Sequence, residues 1–170
     1  DAALKIKAYK AAATKFNSAR GYNNMGVVLG QTGKVGEAKS AIEKAATLSN
    51  DPIISNNLGV LALMNGDVAK AKSYLSALSI PQARKSMGLV NLAVAEVLNG
   101  NLAKAKSVLS GDNSAQADYL KAIIAMREGN SSSAIANLKS AISKNSAYKA
   151  KAAKDVEFAK LFGTTEFLAL

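Results

Sequence analysis

Apolar residues recur every three or four positions in paired segments of the chain, which predicts pairs of amphipathic helices. In the first pair the two apolar stripes comprise Tyr22, Met25 and Leu29, then Val35, Ala38, Ile42 and Ala45. Gly33 lies between the stripes, where a helix commonly ends in a left-handed residue. Neither helix can bury its stripe alone, so the pattern predicts that successive pairs stack on one another.

This helix-turn-helix pattern repeats along the chain. A glycine marks each predicted turn, at Gly33, Gly66, Gly100 and Gly129, with spacings of 33, 34 and 29 residues. A small residue follows five positions later and a large apolar residue four positions after that. These residues are Ala38, Ala71, Ala105 and Ala134, followed by Ile42, Leu75, Leu109 and Leu138. The short last spacing predicts a trimmed helix or loop near 110–116.

The period and its fixed positions resemble the tetratricopeptide repeat. The first unit carries that family's pattern at Tyr22, Met25, Gly26, Leu29, Gly33, Ala38, Ile42 and Ala45. The second carries it at Ser55, Leu58, Gly59, Ala62, Gly66, Ala71, Leu75 and Leu78. Glu96 and Asp118 depart from the pattern in the later units. The register of the third unit stays open, since either Ala93 or Gly88 can stand where Gly26 stands in the first.

The resemblance implies an all-α fold, a right-handed α-solenoid of about four helix-turn-helix repeats with a leading half-repeat and a C-terminal capping helix. We expect a single domain over 1–170. Its predicted parts are a leading second helix at 1–17, repeats at 19–51, 52–80, 81–110 and 114–145, a capping helix at 146–162 and a tail at 163–170. The capping helix is expected to be amphipathic, because lysines line one side of it.

In repeats of this type the first helices line an inner, concave surface, which implies rows of equivalent residues there. The predicted partner-binding residues are Asn23, Val27, Gly30, Asn56, Asn57, Val60, Leu63, Val90, Asn91, Val94, Val97, Tyr119, Ile123 and Met126. An apolar row flanked by amides predicts a largely apolar groove for a partner peptide or helix. Two alternatives stay open: these residues pack between neighbouring first helices, or the tail at 167–170 covers them.

A second row of amides, Asn24, Asn57 and Asn91, is expected to form hydrogen bonds between repeats. Some tetratricopeptide domains hold a terminal carboxylate with Lys and Arg on their first helices. The equivalent positions here are Asn23, Val27, Asn57 and Val60. That type of site is therefore not expected in this chain.

Composition removes several classes of chemistry. The chain has no Cys, His or Trp, which excludes thiol nucleophiles, imidazole bases and Cys or His metal sites. The carboxylates are scattered, and no glycine-rich phosphate loop accompanies them. We therefore expect a non-catalytic protein with no metal site and no cofactor.

Charge suggests an alternative function. The 22 Lys and Arg residues exceed the 12 Asp and Glu residues, giving a net charge of +10. Lysines crowd the second helices at Lys39, Lys44, Lys70, Lys72, Lys104, Lys106, Lys139 and Lys144. Such a surface predicts a module that binds an anionic polymer or a membrane surface, and a structural spacer in a larger envelope protein is a further alternative. Few arginines and 5% aromatic residues argue against a nucleic-acid partner.

Location and assembly are predicted from weaker patterns. No apolar run is long enough to cross a membrane, so any membrane association is expected to be peripheral. The chain opens at Asp1 inside a predicted helix, which indicates a piece of a longer protein. The last third, from Tyr119 to Phe162, is loosely similar to tetratricopeptide regions of Bacteroides-type envelope proteins. This implies a periplasmic or outer-membrane-associated setting, with a cytoplasmic scaffold as the alternative and a monomer or weak homodimer as the assembly.

Overall fold

The computed structural model describes residues 1–76 and 85–170, and every regular element within these residues is a helix. The α-helices are α1 (Ala2–Phe16), α2 (Ala19–Gln31), α3 (Val35–Leu48), α4 (Pro52–Met64), α5 (Val68–Ser76), α6 (Lys85–Leu98), α7 (Leu102–Val108), α8 (Ala115–Arg127), α9 (Ser131–Lys144), α10 (Ala147–Ala152) and α11 (Thr165–Leu168). A 3₁₀ helix spans Val156–Leu161. The predicted all-α class of stacked helix pairs is confirmed. Leu78 and the predicted repeat boundary at 80 and 81 lie outside the described residues.

The internal contacts divide the chain into two compact units, 1–91 and 92–170, and the division falls inside α6. In the first unit α1 packs on α2, α2 on α3, α3 on α4, and α4 on α5. In the second unit α8 packs on α9, and α10 and the 3₁₀ helix pack against this pair. The expectation of a single domain over 1–170 stays a prediction.

Each first helix ends at a left-handed glycine, as the sequence predicts. Gly33 has a φ of 80°, and Gly66, Gly100 and Gly129 have φ values of 74°, 80° and 78°. The following amide closes the turn, for example from Lys34 N to Leu29 O at 3.0 Å. This backbone bond satisfies a carbonyl at the helix end and sends the chain directly into the second helix.

The core of the first unit is formed where two helices of a pair approach closely. Ala38 and Ile42 of α3 are fully buried against the face of α2 that carries Gly26. A Cβ atom at Gly26 would lie 2.3 Å from Ile42 Cγ1 and 2.9 Å from Ala38 O. Gly59 repeats this arrangement in α4, where a Cβ would lie 2.6 Å from Leu75 Cγ. The small residue of the repeat pattern therefore sets the distance between the paired helices.

The third repeat follows the simpler of the two registers. α6 ends at Leu98, two residues before Gly100, as α2 ends two residues before Gly33. Asn91, nine residues before Gly100, bonds to Asn56 as Asn57, nine residues before Gly66, bonds to Asn23. Ala93, which is fully buried, therefore stands at the position of Gly26. The predicted trimming is also confirmed, since α7 has 7 residues while α3 and α9 have 14 each.

The capping segment differs from the single amphipathic helix expected over 146–162. It forms a short helix, α10, and then the 3₁₀ helix, with Asp155 in extended conformation between them. Asp155 accepts a hydrogen bond from Glu157 N at 3.1 Å and another from Tyr119 Oη at 2.8 Å. These bonds hold Asp155 as a cap, so the expectation of one continuous helix is wrong.

We predict that Gly26→Ala lowers the free energy of unfolding of the first unit by about 1–3 kcal/mol, because the added methyl group meets the Ala38 backbone and Ile42 in a filled core. Gly36→Ala is the matched control, since a Cβ there meets nothing within 4 Å. The control should be neutral or more stable by up to about 1 kcal/mol. Chemical denaturation of both variants measures the difference, and equal stabilities would contradict the close-approach interpretation.

Candidate binding groove

The two first helices of unit 1, α2 and α4, together line two cavities. An apolar cavity of about 180 Å³ is lined mainly by Val27, Gly30, Gln31, Asn57, Val60 and Met64. A polar cavity of about 520 Å³ is lined by Ala19, Arg20, Asn23, Asn24, Ser49, Asp51, Ile53 and Ile54. We call these the apolar pocket and the polar pocket.

The two pockets are successive sections of one groove. On α2, Arg20 and Asn24 line the polar pocket and Val27 and Gln31 line the apolar pocket. These four residues follow one another at helical spacing on one face of the helix. On α4 the lining residues Ile53, Asn57, Val60 and Met64 share a face in the same way. The boundary between the pockets is the hydrogen bond from Asn57 Nδ2 to Asn23 Oδ1, at 2.9 Å.

That hydrogen bond belongs to a ladder of amides between successive repeats. Asn91 Nδ2 donates to Asn56 Oδ1 at 2.9 Å, and Asn56 Nδ2 approaches Asn57 Oδ1 at 3.5 Å. Asn23 and Asn56 are only 8% and 5% exposed. The expected inter-repeat hydrogen bonds are confirmed for Asn57 and Asn91. In the described part of the chain Asn24 makes no side-chain hydrogen bond and instead lines the polar pocket.

The remaining predicted site residues of the first helices lie outside these pockets. Leu63 and Val90 are partly buried in unit 1, and neither lines the apolar or the polar pocket. In unit 2 Val94 is partly buried and Val97 is buried. The Val97 carbonyl accepts a hydrogen bond from Arg127 Nη1 at 3.0 Å.

In unit 2 the predicted residues of α8 belong to a packed core. Tyr119 is 3% exposed, and its ring lies 4.8 Å from the Tyr148 ring and 5.5 Å from the Phe158 ring. Burial, together with the hydrogen bond to Asp155 and the charge of that carboxylate, raises the pKa of Tyr119 well above its usual range. Tyr119 is therefore an anchor for the capping segment.

The tail packs against the same core. Ile123 and Met126, from the predicted rows, and Phe167 and Leu170, from the tail, are all partly buried against the cluster that contains Tyr119. For these residues of α8, the packing is consistent with the alternative in which the tail at 167–170 covers the predicted residues. Among the predicted residues, Val27, Gly30, Asn57 and Val60 line the apolar pocket of unit 1.

A buried ion-pair network in unit 2 was not foreseen from the sequence. Asp118 is 5% exposed and accepts hydrogen bonds from Ser140 Oγ at 2.6 Å and Lys144 Nζ at 2.5 Å, while Lys121 Nζ lies 3.4 Å away. Burial alone would raise the pKa of Asp118, but these hydrogen bonds and lysine charges outweigh it and hold that pKa below its ordinary value. The departure of Asp118 from the repeat pattern was the only feature of the sequence that pointed to this network.

Several residues that line the groove are absent from the predicted set, among them Met64, Gln31 and Arg20. Met64 is 51% exposed and lies one helical turn beyond Val60, and Gln31 lies one turn beyond Val27, so continuing each row would have found them. Arg20 lies one turn before the amides of α2.

Within the described residues no group of acidic side chains is arranged to hold a metal ion. Among the described helices none combines the length and apolar character that a membrane crossing requires.

The geometry defines the class of protein, a helical-repeat protein in which paired helices stack and leave a groove between first helices. Residues 19–52, which include α2 and α3, match the family model of the tetratricopeptide repeat. Solved structures of tetratricopeptide repeat proteins have the same fold as this chain. That fold is typical of protein-interaction scaffolds without catalytic activity.

Three solved structures illustrate the similarity. A thermophilic tetratricopeptide repeat protein of Thermus thermophilus superposes with a TM-score of 0.77 at 22% identity, over 89% of this chain and 87% of the other. A tetratricopeptide repeat protein of Parabacteroides merdae gives 0.71 at 18% identity, over 96% and 68%. YrrB, a tetratricopeptide repeat protein with an unusual peptide-binding site, gives 0.64 at 14% identity, over 96% and 89%. No curated protein sequence is detectably similar to this chain.

We predict that Asn57→Ala lowers the free energy of unfolding of the first unit by about 1–3 kcal/mol, because it leaves the buried side-chain oxygen of Asn23, Oδ1, without its hydrogen-bond donor. Asn24→Ala, at the equivalent position of α2, should change stability by less than about 0.5 kcal/mol. Thermal or chemical denaturation compares the two. A large loss in the Asn24 variant and none in the Asn57 variant would rule out the ladder as a stabilising element.

We predict that Asp118→Asn removes part of the acid sensitivity of the second unit. The folded-state pKa of Asp118 lies below its unfolded value of about 3.9, so its stabilisation is present above about pH 4 and is lost as pH falls through the folded pKa. The variant should be less stable near neutrality and should approach the wild type on acidification. Unfolding free energies measured across this range test the prediction, and a pH-independent difference would contradict it.

Proposed function

We propose that the groove between α2 and α4 binds an apolar segment of a partner protein. The observation that supports this proposal is the apolar pocket, in which the side chains of Val27, Val60 and Met64 present hydrocarbon. Gly30 also belongs to the lining, but it is itself buried, and a Cβ atom there would lie 3.3 Å from Leu61 Cδ2. Met64 is half-exposed and unbranched, so it can adjust to side chains of different shape. A large aliphatic or aromatic side chain is the ligand that such a surface favours.

The charge distribution supports an apolar mode of binding. α4 carries no charged side chain, and Arg20 is the only charged residue of α2. The walls of the apolar pocket are therefore electrically neutral. Burial of apolar surface is not screened by salt, so binding is expected to persist at high ionic strength.

The groove is also held rigid before a partner arrives. The Asn57–Asn23 hydrogen bond fixes α4 against α2, and the contact of Gly26 with Ile42 fixes α2 against α3. A preformed surface adds little conformational entropy cost to binding, so the partner segment bears most of it. The proposal thus assigns the protein to the non-catalytic interaction scaffolds.

The lysine-rich surface is the alternative, and a net charge of +10 is what favours it. Many of its lysines are already paired with carboxylates in the described structure. The pairs are Lys39–Glu43 at 3.7 Å, Lys70–Asp67 at 3.0 Å, Lys106–Glu128 at 2.7 Å and Lys144–Asp118 at 2.5 Å. This pairing weakens the attraction to an anionic polymer, so we place the groove first. A role as a spacer and a setting in the bacterial envelope stay predictions from the sequence.

We predict that Val60→Lys abolishes retention of protein partners by the immobilised chain, because an ammonium group then enters the apolar pocket. Leu4→Lys is the control, since Leu4 is an exposed apolar residue of α1 outside the groove. Extract from the source cell is applied to wild type and both variants, at low salt and at about 1 M salt, where charge interactions are screened within about 3 Å.

The groove is supported by proteins that the wild type and Leu4→Lys retain at high salt and that Val60→Lys does not. Circular dichroism of each variant confirms that it is folded. If every retained protein elutes with salt and the Val60 variant behaves as the wild type, the lysine surface is the binding surface and the proposal is wrong.

A further inference from the structure

The polar pocket continues the same groove and is lined by one cationic side chain, that of Arg20. We propose that this pocket binds an acidic side chain, Asp or Glu, through an ion pair with Arg20. This acidic residue belongs to the same partner segment whose apolar side chain fills the apolar pocket. The inference rests on the proposed function and adds the chemistry that selects the segment. The observation that supports it is the position of Arg20 at the end of the groove, because the two helices that line the groove, α2 and α4, bear no other charge.

Arg20 is exposed in the first turn of α2, and it makes no ion pair with any described residue. A guanidinium group binds a carboxylate through two parallel N–H bonds, which gives strength and direction. Asn24 lies one turn further on in the same pocket, and its amide has no intramolecular hydrogen bond in the described structure. The pocket therefore offers a charged donor and a neutral donor side by side.

The one carboxylate of the pocket does not cancel Arg20. Asp51 accepts a hydrogen bond from Ile53 N at 2.9 Å and caps the start of α4. There its charge faces the positive end of the helix dipole. The distance between Asp51 and Arg20 exceeds that of an ion pair, so the guanidinium group stays available to an incoming ligand.

The spacing between the two pockets sets the spacing of the ligand. Arg20 and Val27 are seven residues apart on α2, which is about 10 Å at a rise of about 1.5 Å per residue. An extended peptide covers this length with about three residues. The preferred segment accordingly has an acidic residue about three positions from a Leu, Met or Phe residue.

Selection from a random peptide library displayed on phage tests this inference. The peptides are long enough to span the groove, and their carboxyl termini are joined to the coat protein, so that only side-chain carboxylates are available. The wild type, Arg20→Glu, Lys44→Glu and Val60→Lys are used as baits. Lys44→Glu changes the net charge as much as Arg20→Glu does, but Lys44 is exposed on α3 outside both pockets.

We expect the wild type and Lys44→Glu to enrich peptides with an acidic residue about three positions from a large apolar one. Arg20→Glu should keep the apolar preference and lose the acidic one or replace it with Lys or Arg. For one selected peptide, replacing its acidic residue by the amide, or using Arg20→Gln, should weaken binding about tenfold, the loss expected for one charge-assisted hydrogen-bonded pair.

Two other outcomes would overturn the inference in distinguishable ways. Apolar peptides without acidic enrichment, selected equally by the wild type and Arg20→Glu, would refute the role of Arg20 and leave the proposed apolar groove standing. If the wild type selects nothing that Val60→Lys does not also select, the groove itself fails, and the acidic preference fails with it.

Discussion

The distance between the two helices of a pair is set by a glycine of the first helix, and other features of the first unit depend on that distance. Gly26 leaves no room for a methyl group beside Ile42 and the Ala38 backbone, and Gly59 leaves none beside Leu75. Close packing of this kind buries the second helix without long side chains. It also explains how a chain with so much Ala forms a dense core.

Once each pair is fixed, the first helices meet along faces that the pair does not use. The amide bond between Asn57 and Asn23 then fixes one first helix against the next and divides the groove between them. On one side of that bond lie the apolar side chains of Val27, Val60 and Met64, and on the other lies Arg20. A groove with one apolar and one cationic section follows from this arrangement, and its rigidity comes from contacts that no ligand supplies.

The second unit uses comparable residues for a different purpose. Tyr119 and its neighbours on α8 occupy the positions at which a partner surface was expected, but they are packed with α10, the 3₁₀ helix and the tail. The bond from Tyr119 to Asp155 interrupts the capping helix, and Asp118 is buried with two lysines and a serine. This unit closes its own apolar face, whereas the first unit leaves part of its face open.

The sequence by itself determined the paired helices of the repeats, the glycine turns and the trimmed α7, because these follow from local spacing that repeats along the chain. It did not determine the break in the capping segment, which lies outside the repeats. It also identified Val27, Gly30, Val60 and the amide rows. Only the tertiary structure decided that Asn57 pairs with Asn23 across 34 residues and Tyr119 with Asp155 across 36. It alone placed Arg20 beside the groove and Asp118 within a core. Such pairings depend on how separate repeats pack, and a periodic sequence offers several equivalent partners from which only three-dimensional packing selects.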